Sequence, residues 1–174
     1  MLYRDSKTSE ELTLLKKAVI VLGGLAAGFI ISQIFIIQFV VNDSSMMPAM
    51  KKGDRVLVLK AGRPVKGDIV LIDSPVEPGR VSMKRIIAQE NDSIEIINKK
   101  IFINTMEFSS PWETKSLDSR VFPADFSYRD NMPLIKLNAS EYFLLGDNLD
   151  FSFDSRSYGI VKEKLIIGKL LFKF

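Results

Sequence analysis

Two serines, Ser44 and Ser45, stand just past the end of an uncharged apolar run, and one lysine, Lys84, lies inside a run of apolar and β-branched residues. The 174 residues contain no histidine and no cysteine. A Ser-His-Asp triad, a thiolate nucleophile, a disulfide and any histidine- or cysteine-held metal are therefore excluded. Hydrolytic chemistry must come from hydroxyls, carboxylates, lysine or arginine. A serine can still be activated by a neutral lysine amine, and apolar burial supplies one by disfavouring the ammonium form. In Val81-Ser82-Met83-Lys84-Arg85-Ile86-Ile87, Lys84 shares a strand face with Ser82 and Ile86, while Met83, Arg85 and Ile87 take the other. A lysine whose head group reaches solvent from a strand edge fits the same pattern. The residues alone leave both readings open.

The elements that must position these groups begin with a membrane span. Ala18 to Val41 is 24 residues without a charge. As a helix it would rise about 36 Å, against a hydrocarbon core of about 30 Å. A buried core helix or the apolar part of a cleaved signal peptide would also be apolar. The latter is shorter, about 7–15 residues, and needs a small-residue cleavage site, which Asn42-Asp43-Ser44 does not offer. A retained anchor is the expectation, with residues 1–17 as a polar tail. Arg4, Lys7, Lys16 and Lys17 precede the span and the first basic residue after it is Lys51. The positive-inside rule then puts the tail in the cytoplasm and residues 42–174 outside, as a single-pass protein of the plasma membrane. Gly24 and Gly28 have the small-xxx-small spacing of helix pairs; no oligomeric state follows from it.

Beyond the span the chain reads as one mostly β domain. Short apolar or alternating runs, Arg55–Lys60, Ile69–Ile72, Val81–Ala88, Ser93–Ile97, Lys100–Ile103, Glu141–Leu145 and Leu165–Phe172, are separated by Gly, Pro, Asn and Asp. No long amphipathic helical period follows. Residues 105–138 carry Pro111, Pro123 and Pro133 among scattered aromatics and are expected to form an irregular insertion or cap. Trp112 would sit at the membrane interface or cover a small core. Formal charge is +3 with both signs interspersed, unlike the clustered basic face of a nucleic-acid binder.

Four motifs in order resemble those of the type I signal peptidases, membrane-bound Ser-Lys endopeptidases that remove signal peptides from exported proteins. Ser45-Met46-Met47-Pro48-Ala49 matches the serine box Ser-Met-x-Pro-Thr except at its last position, and Gly53-Asp54-Arg55-Val56 matches Gly-Asp-x-Val. Lys84-Arg85-Ile86-Ile87, with Asp92 beyond, matches the lysine box. Gly146-Asp147-Asn148-Leu149-Asp150-Phe151-Ser152-Phe153-Asp154-Ser155-Arg156 matches Gly-Asp-Asn-Arg-x-x-Ser-x-Asp-Ser-Arg except at its fourth position. The resemblance implies an antiparallel β-sheet catalytic domain behind a single transmembrane helix, no cofactor and no metal. It implies that Ser45 attacks the scissile carbonyl, that neutral Lys84 takes the proton, and that Ser152 orients the amine. Asp154 would pair with Arg85 or Arg156, the Ser45 N–H would serve the oxyanion, and Met46 would line a pocket for small residues. Gly146-Asp147-Asn148 reads as a turn with no chemistry assigned. Implied partners are signal-peptide-bearing preproteins, a pilin or other surface protein among them, and the lipid bilayer.

The departures are Ala49 for Thr, Leu149 for Arg, no glycine before Asp92, and Asp43 where relatives carry Ser or Gly. Position 43 supplies a second oxyanion donor in those relatives, whereas an ionised carboxylate would repel an oxyanion. The pattern implies a divergent member with altered efficiency or substrate range, of the short plan that the signal peptidases of Gram-positive bacteria share with mitochondrial inner-membrane peptidases. Two further readings use the same residues. One is a binding or assembly factor for surface structures such as pili, with little proteolysis; the presence of both Ser45 and Lys84 opposes it. The other is a self-cleaving, DNA-linked repressor-type protein, which the span opposes.

Overall fold

The computed structural model describes residues 3–174, with side chains from residue 13 onward. Met1 and Leu2 of the expected tail lie outside the described residues. Two compact units make up the chain, residues 1–36 and 37–174. The first is a single helix, α1 (Tyr3–Phe35), whose segment Thr13–Phe35 is long and apolar enough to cross a membrane.

That helix stops short of the uncharged run's end. Ile36–Val40 is strand β1, joined to the sheet beside β2 (Arg55–Leu59). Ile36, Ile37, Val40 and Val41 are β-branched and pack well on a pleated surface. Backbone bonds from Val41 N–H to Asp54 O and from Gly53 N–H to Val41 O fasten the segment. Apolar continuity could not mark this change from helix to strand.

The remaining strands are β3 (Ile69–Asp73), β4 (Val81–Ala88), β5 (Ser93–Ile97), β6 (Lys100–Ile103), β7 (Met106–Glu107), β8 (Met132–Lys136), β9 (Glu141–Leu145), β10 (Val161–Lys162) and β11 (Ile166–Lys173). One sheet has the order β1-β2-β11-β3-β4-β9-β10 and the other the order β7-β6-β5-β8. The pairs β3/β4, β4/β9, β11/β2 and β11/β3 are antiparallel. The fold is thus mostly β, as expected.

β8 falls inside the stretch expected to be irregular, and it contains Pro133. Proline lacks the N–H a central strand must donate, but β8 is an edge strand, where the loss is tolerated. The rest of that stretch holds itself with polar contacts. Asp118, Asp130 and Arg129 form ion pairs at 2.7–2.8 Å, and Arg129 stacks 4.3 Å over the Phe122 ring. Trp112 packs against one of the apolar clusters, so it covers a small core.

β3 and β4 separate two apolar layers. Ile69 and Leu71 of β3 join a cluster with Met46, Met50 and Met83. Val70 and Ile72, pointing the other way, join Ile86 of β4 and Leu144 of β9. A register irregularity between Ile86 and Ala88 lets the end of β4 enter a third cluster with Ile94, Ile96 and Phe143.

Candidate active site

Lys84 sits on the β4 face that carries the second layer. Its cross-strand partner is Val70 and its neighbour along the face is Ile86, both fully buried. The lysine itself is 2% exposed. Burial pushes its amine below the ordinary lysine range; the carboxylates of Asp43 and Asp154 oppose the shift, and Arg80 adds to it. Its amine nitrogen lies 2.8 Å from Ser45 Oγ and 3.1 Å from Met83 O. The chain places no other amine on Ser45 among the described residues. A nucleophile hydroxyl and a buried amine of lowered basicity, within hydrogen-bond reach, is the arrangement serine-lysine acyl transfer requires.

Ser45 is 39 residues from Lys84 in sequence, and a turn from the other end of the sheet brings them together. Asn148 N–H donates to Ser45 O at 2.9 Å, and Asn148 Nδ2 donates to Ser44 O at 3.2 Å. A methyl group at Gly146 would overlap the Ser45 carbonyl oxygen and the Ser152 side chain. The turn is therefore the clamp on the Ser45 backbone. Sequence reasoning left Gly146, Asp147 and Asn148 without a role because a Gly-Asp-Asn run is ordinary turn chemistry.

The supporting charges are distributed as follows. Asp154 Oδ1 and Oδ2 accept from Arg156 Nε and Nη2 at 2.9 and 2.8 Å, and Asp154 also accepts from Gly146 N–H. Of the two expected partners it thus takes Arg156. Arg85 pairs instead with Asp147 through two bonds of 2.8 and 2.7 Å and lies 4.4 Å from the Trp112 ring centre. Both pairs are buried. The chain that runs from β4 through Arg85 and Asp147 to the turn ties the lysine's strand to the serine's clamp.

Two expected placements differ. Ser152 Oγ is buried without a hydrogen-bond partner among the described residues; it touches the Gly146–Ser45 contact region rather than bonding the Lys84 amine. Met46 is fully buried in the first apolar layer and is not among the residues that line the cleft. The cleft itself, about 170 Å³, is lined by Asp43, Ser45, Arg80, Ser82, Lys84 and an aromatic wall of Phe151, Phe153 and Tyr158. Phe153 and Tyr158 meet edge to face at 5.5 Å. None of those aromatics carried a sequence signal, since an aromatic outside a periodic apolar pattern is uninformative by type alone. Asp43 turns its carboxylate inward, where Oδ1 accepts the Ser45 backbone N–H at 2.9 Å. No group of three or more acidic residues that could hold a metal is present among the described residues.

Comparison with known proteins gives a consistent picture. A family model described as signal peptidase, peptidase S26, matches residues 12–174. Signal peptidase I V of Bacillus subtilis is 32% identical over 140 residues, covering 76% of this chain and 82% of the relative. Signal peptidase IB of Staphylococcus aureus is 28% identical over 157 residues, covering 84% and 81%. A solved structure of a signal peptidase I from Enterococcus faecalis aligns with a TM-score of 0.49 and 24% identity, covering 63% of this chain and 98% of that one.

Proposed function

The chain belongs to the signal peptidases of peptidase family S26, a family of serine peptidases, and on that premise we propose that it cleaves signal peptides from exported preproteins with Ser45 as nucleophile and Lys84 as general base. The observation that carries this reading is the 2.8 Å approach of a 2% exposed lysine amine to a serine hydroxyl. Neutral Lys84 takes the Ser45 proton as Oγ attacks the scissile carbonyl, then gives it to the leaving amine. Water repeats the sequence to release the acyl group. Asp154, Arg156, Arg85 and Asp147 hold the two backbones in place, and the partly polar cleft takes an extended chain with small residues before the cut.

We place the apolar helix in a membrane, with the N-terminal side cytoplasmic and the β unit outside. The apolar length of Thr13–Phe35 and the basic residues ahead of it support that orientation. A tethered enzyme meets substrates confined to the same surface at raised effective concentration.

The test is cleavage of a preprotein with an Ala-x-Ala site by the detergent-solubilised chain, beside Ser45→Ala and Lys84→Ala. Cleavage by the parent and at least a thousandfold loss in both variants is expected, as for removal of a unit that acts together. One observation favours a second reading, a binding or assembly role without cutting: the Ser45 N–H is already engaged by Asp43. A folded parent that binds preprotein and never cuts it would select that reading.

A further inference from the structure

Acyl transfer moves a full negative charge onto the substrate's carbonyl oxygen as the Ser45 Oγ–carbon bond forms and the serine proton passes to Lys84. A preorganised N–H aimed at that oxygen is worth about 10²–10³ in kcat, and the nucleophile's own backbone N–H is the donor assigned to it. In this chain that N–H points at Asp43 Oδ1, 2.9 Å away, and both residues line the cleft of the dyad. An aspartate accepting the N–H two residues on is common turn chemistry. Here the N–H belongs to the attacking residue, so the same contact has a cost. Two anions cannot share one donor at hydrogen-bond range without strong repulsion.

We infer that the Asp43 carboxylate occupies the oxyanion site of the free enzyme, and that its departure toward Arg80 is a step every substrate must drive. Arg80 lies in the wall of the same cleft. It is held by Glu77 at 2.6 Å in an exposed pair, and exposed pairs of that kind are weak. The guanidinium can thus exchange Glu77 for the Asp43 carboxylate when a scissile carbonyl enters. Asp43 is a rate-limiting positioning residue in this account, and the chain is an intrinsically restrained peptidase. The inference rests on the Ser45–Lys84 reading.

Steady-state cleavage of the Ala-x-Ala preprotein by the solubilised full chain tests it, with Ser45→Ala, Asp43→Asn, Asp43→Ser, Asp43→Ala and Arg80→Gln. Expected are a tenfold or greater rise in kcat for Asp43→Ala and Asp43→Ser, and a smaller rise for Asp43→Asn, whose neutral Oδ1 still accepts the Ser45 N–H, with KM nearly unchanged. Arg80→Gln should lower kcat in the parent and have no effect in the Asp43→Ser background. A merely structural turn predicts the reverse order: Asp43→Ala slower than the parent, with Asn and Ser restoring the parental rate and never exceeding it. That pattern, or Arg80→Gln equal to the parent, overturns the inference. Arg80→Gln leaves the turn untouched, so it reports even if an Asp43 variant melts early. Loss of cleavage in Ser45→Ala together with unimproved Asp43 variants sinks this inference alone. Cleavage that survives Ser45→Ala, or a set of variants all inert, sinks the dyad reading and the inference with it. An inert parent rescued by Asp43→Ser, in a Ser45-dependent way, supports both.

Discussion

At the scale of single residues, the proposed role of Lys84 as general base sets stability against chemistry. Its amine is pushed below the usual lysine range by burial against Val70 and Ile86. The unfolded chain, with an ordinary lysine, therefore holds the proton more readily than the folded one. By linkage, folding loses stability as pH falls from the ordinary lysine range toward the lowered folded value, and regains it as pH rises. Lys84→Met keeps the volume and removes the titration. The expected outcome is a higher Tm than the parent at pH 7, a difference that shrinks toward pH 10.5, and no cleavage. Equal Tm values at both pH values would deny the burial account. With Lys84 as the proposed base, the same shift should put the acid limb of kcat/KM below the ordinary lysine range. Neutralising Asp43, one of two carboxylates that favour the ammonium form, should move that limb lower still, extending activity toward acid. Burial is the main cause of the shift, and the charged groups that modulate it are Asp43, Asp154 and Arg80.

At the scale of elements, the Gly146–Asn148 turn fastens the loop that carries Ser45, while Lys84 is held by strand β4. Asn148→Ala removes the side-chain bond to Ser44 O and leaves the backbone bond to Ser45 O. Loss of one neutral hydrogen bond costs about 1 kcal/mol of stability. The larger effect falls on rate, because a nucleophile displaced by about 1 Å can lose about 10²-fold. Near-parental melting with kcat reduced tenfold or more is the expected pair of results. Loss of both together would mean the turn only supports the fold. Asp154→Ala should behave otherwise. It strands a buried Arg156 and frees Gly146 N–H, a change that costs about 3–5 kcal/mol and should be read first as a drop in Tm. Strands such as Val81–Ala88 and Ser93–Ile97 were legible because their apolar runs end in turn residues. β1 was not, because Ile36–Val40 continues the apolar run without punctuation. β8 was not either, because Pro133 argues against a strand until its edge position is known. Ser45 and Lys84 were legible as types and motifs. The partner of Arg85 was not, since Asp147 and Asp154 are equally plausible acids in one dimension.

At the scale of the whole molecule, the division into residues 1–36 and 37–174 separates the apolar helix from the unit that carries the proposed dyad. All three apolar clusters lie in the second unit, with Val41 the first fully buried member. The dyad, both buried ion pairs and the Asn148 clamp lie there as well. Nothing in that list draws on residues before Ile37. A fragment starting at Ile36 retains strand β1, and Ile37 and Phe39 pack against the first cluster, so it should fold cooperatively without the helix. Its kcat on a short soluble peptide should match that of the full chain within about threefold, because the reacting groups are unchanged. Its rate on a preprotein embedded in vesicles should fall much further, since the gain from a shared surface is an effective-concentration term that vanishes with the tether. Starting the fragment at Val41 instead deletes β1 and exposes the side of β2 it covered. A lower Tm for that shorter fragment, with the peptide rate following the folded fraction, would show that the strand taken from the end of the apolar run belongs to the fold of the enzyme. Equal stability of the two fragments would return Ile36–Val40 to the role of a linker.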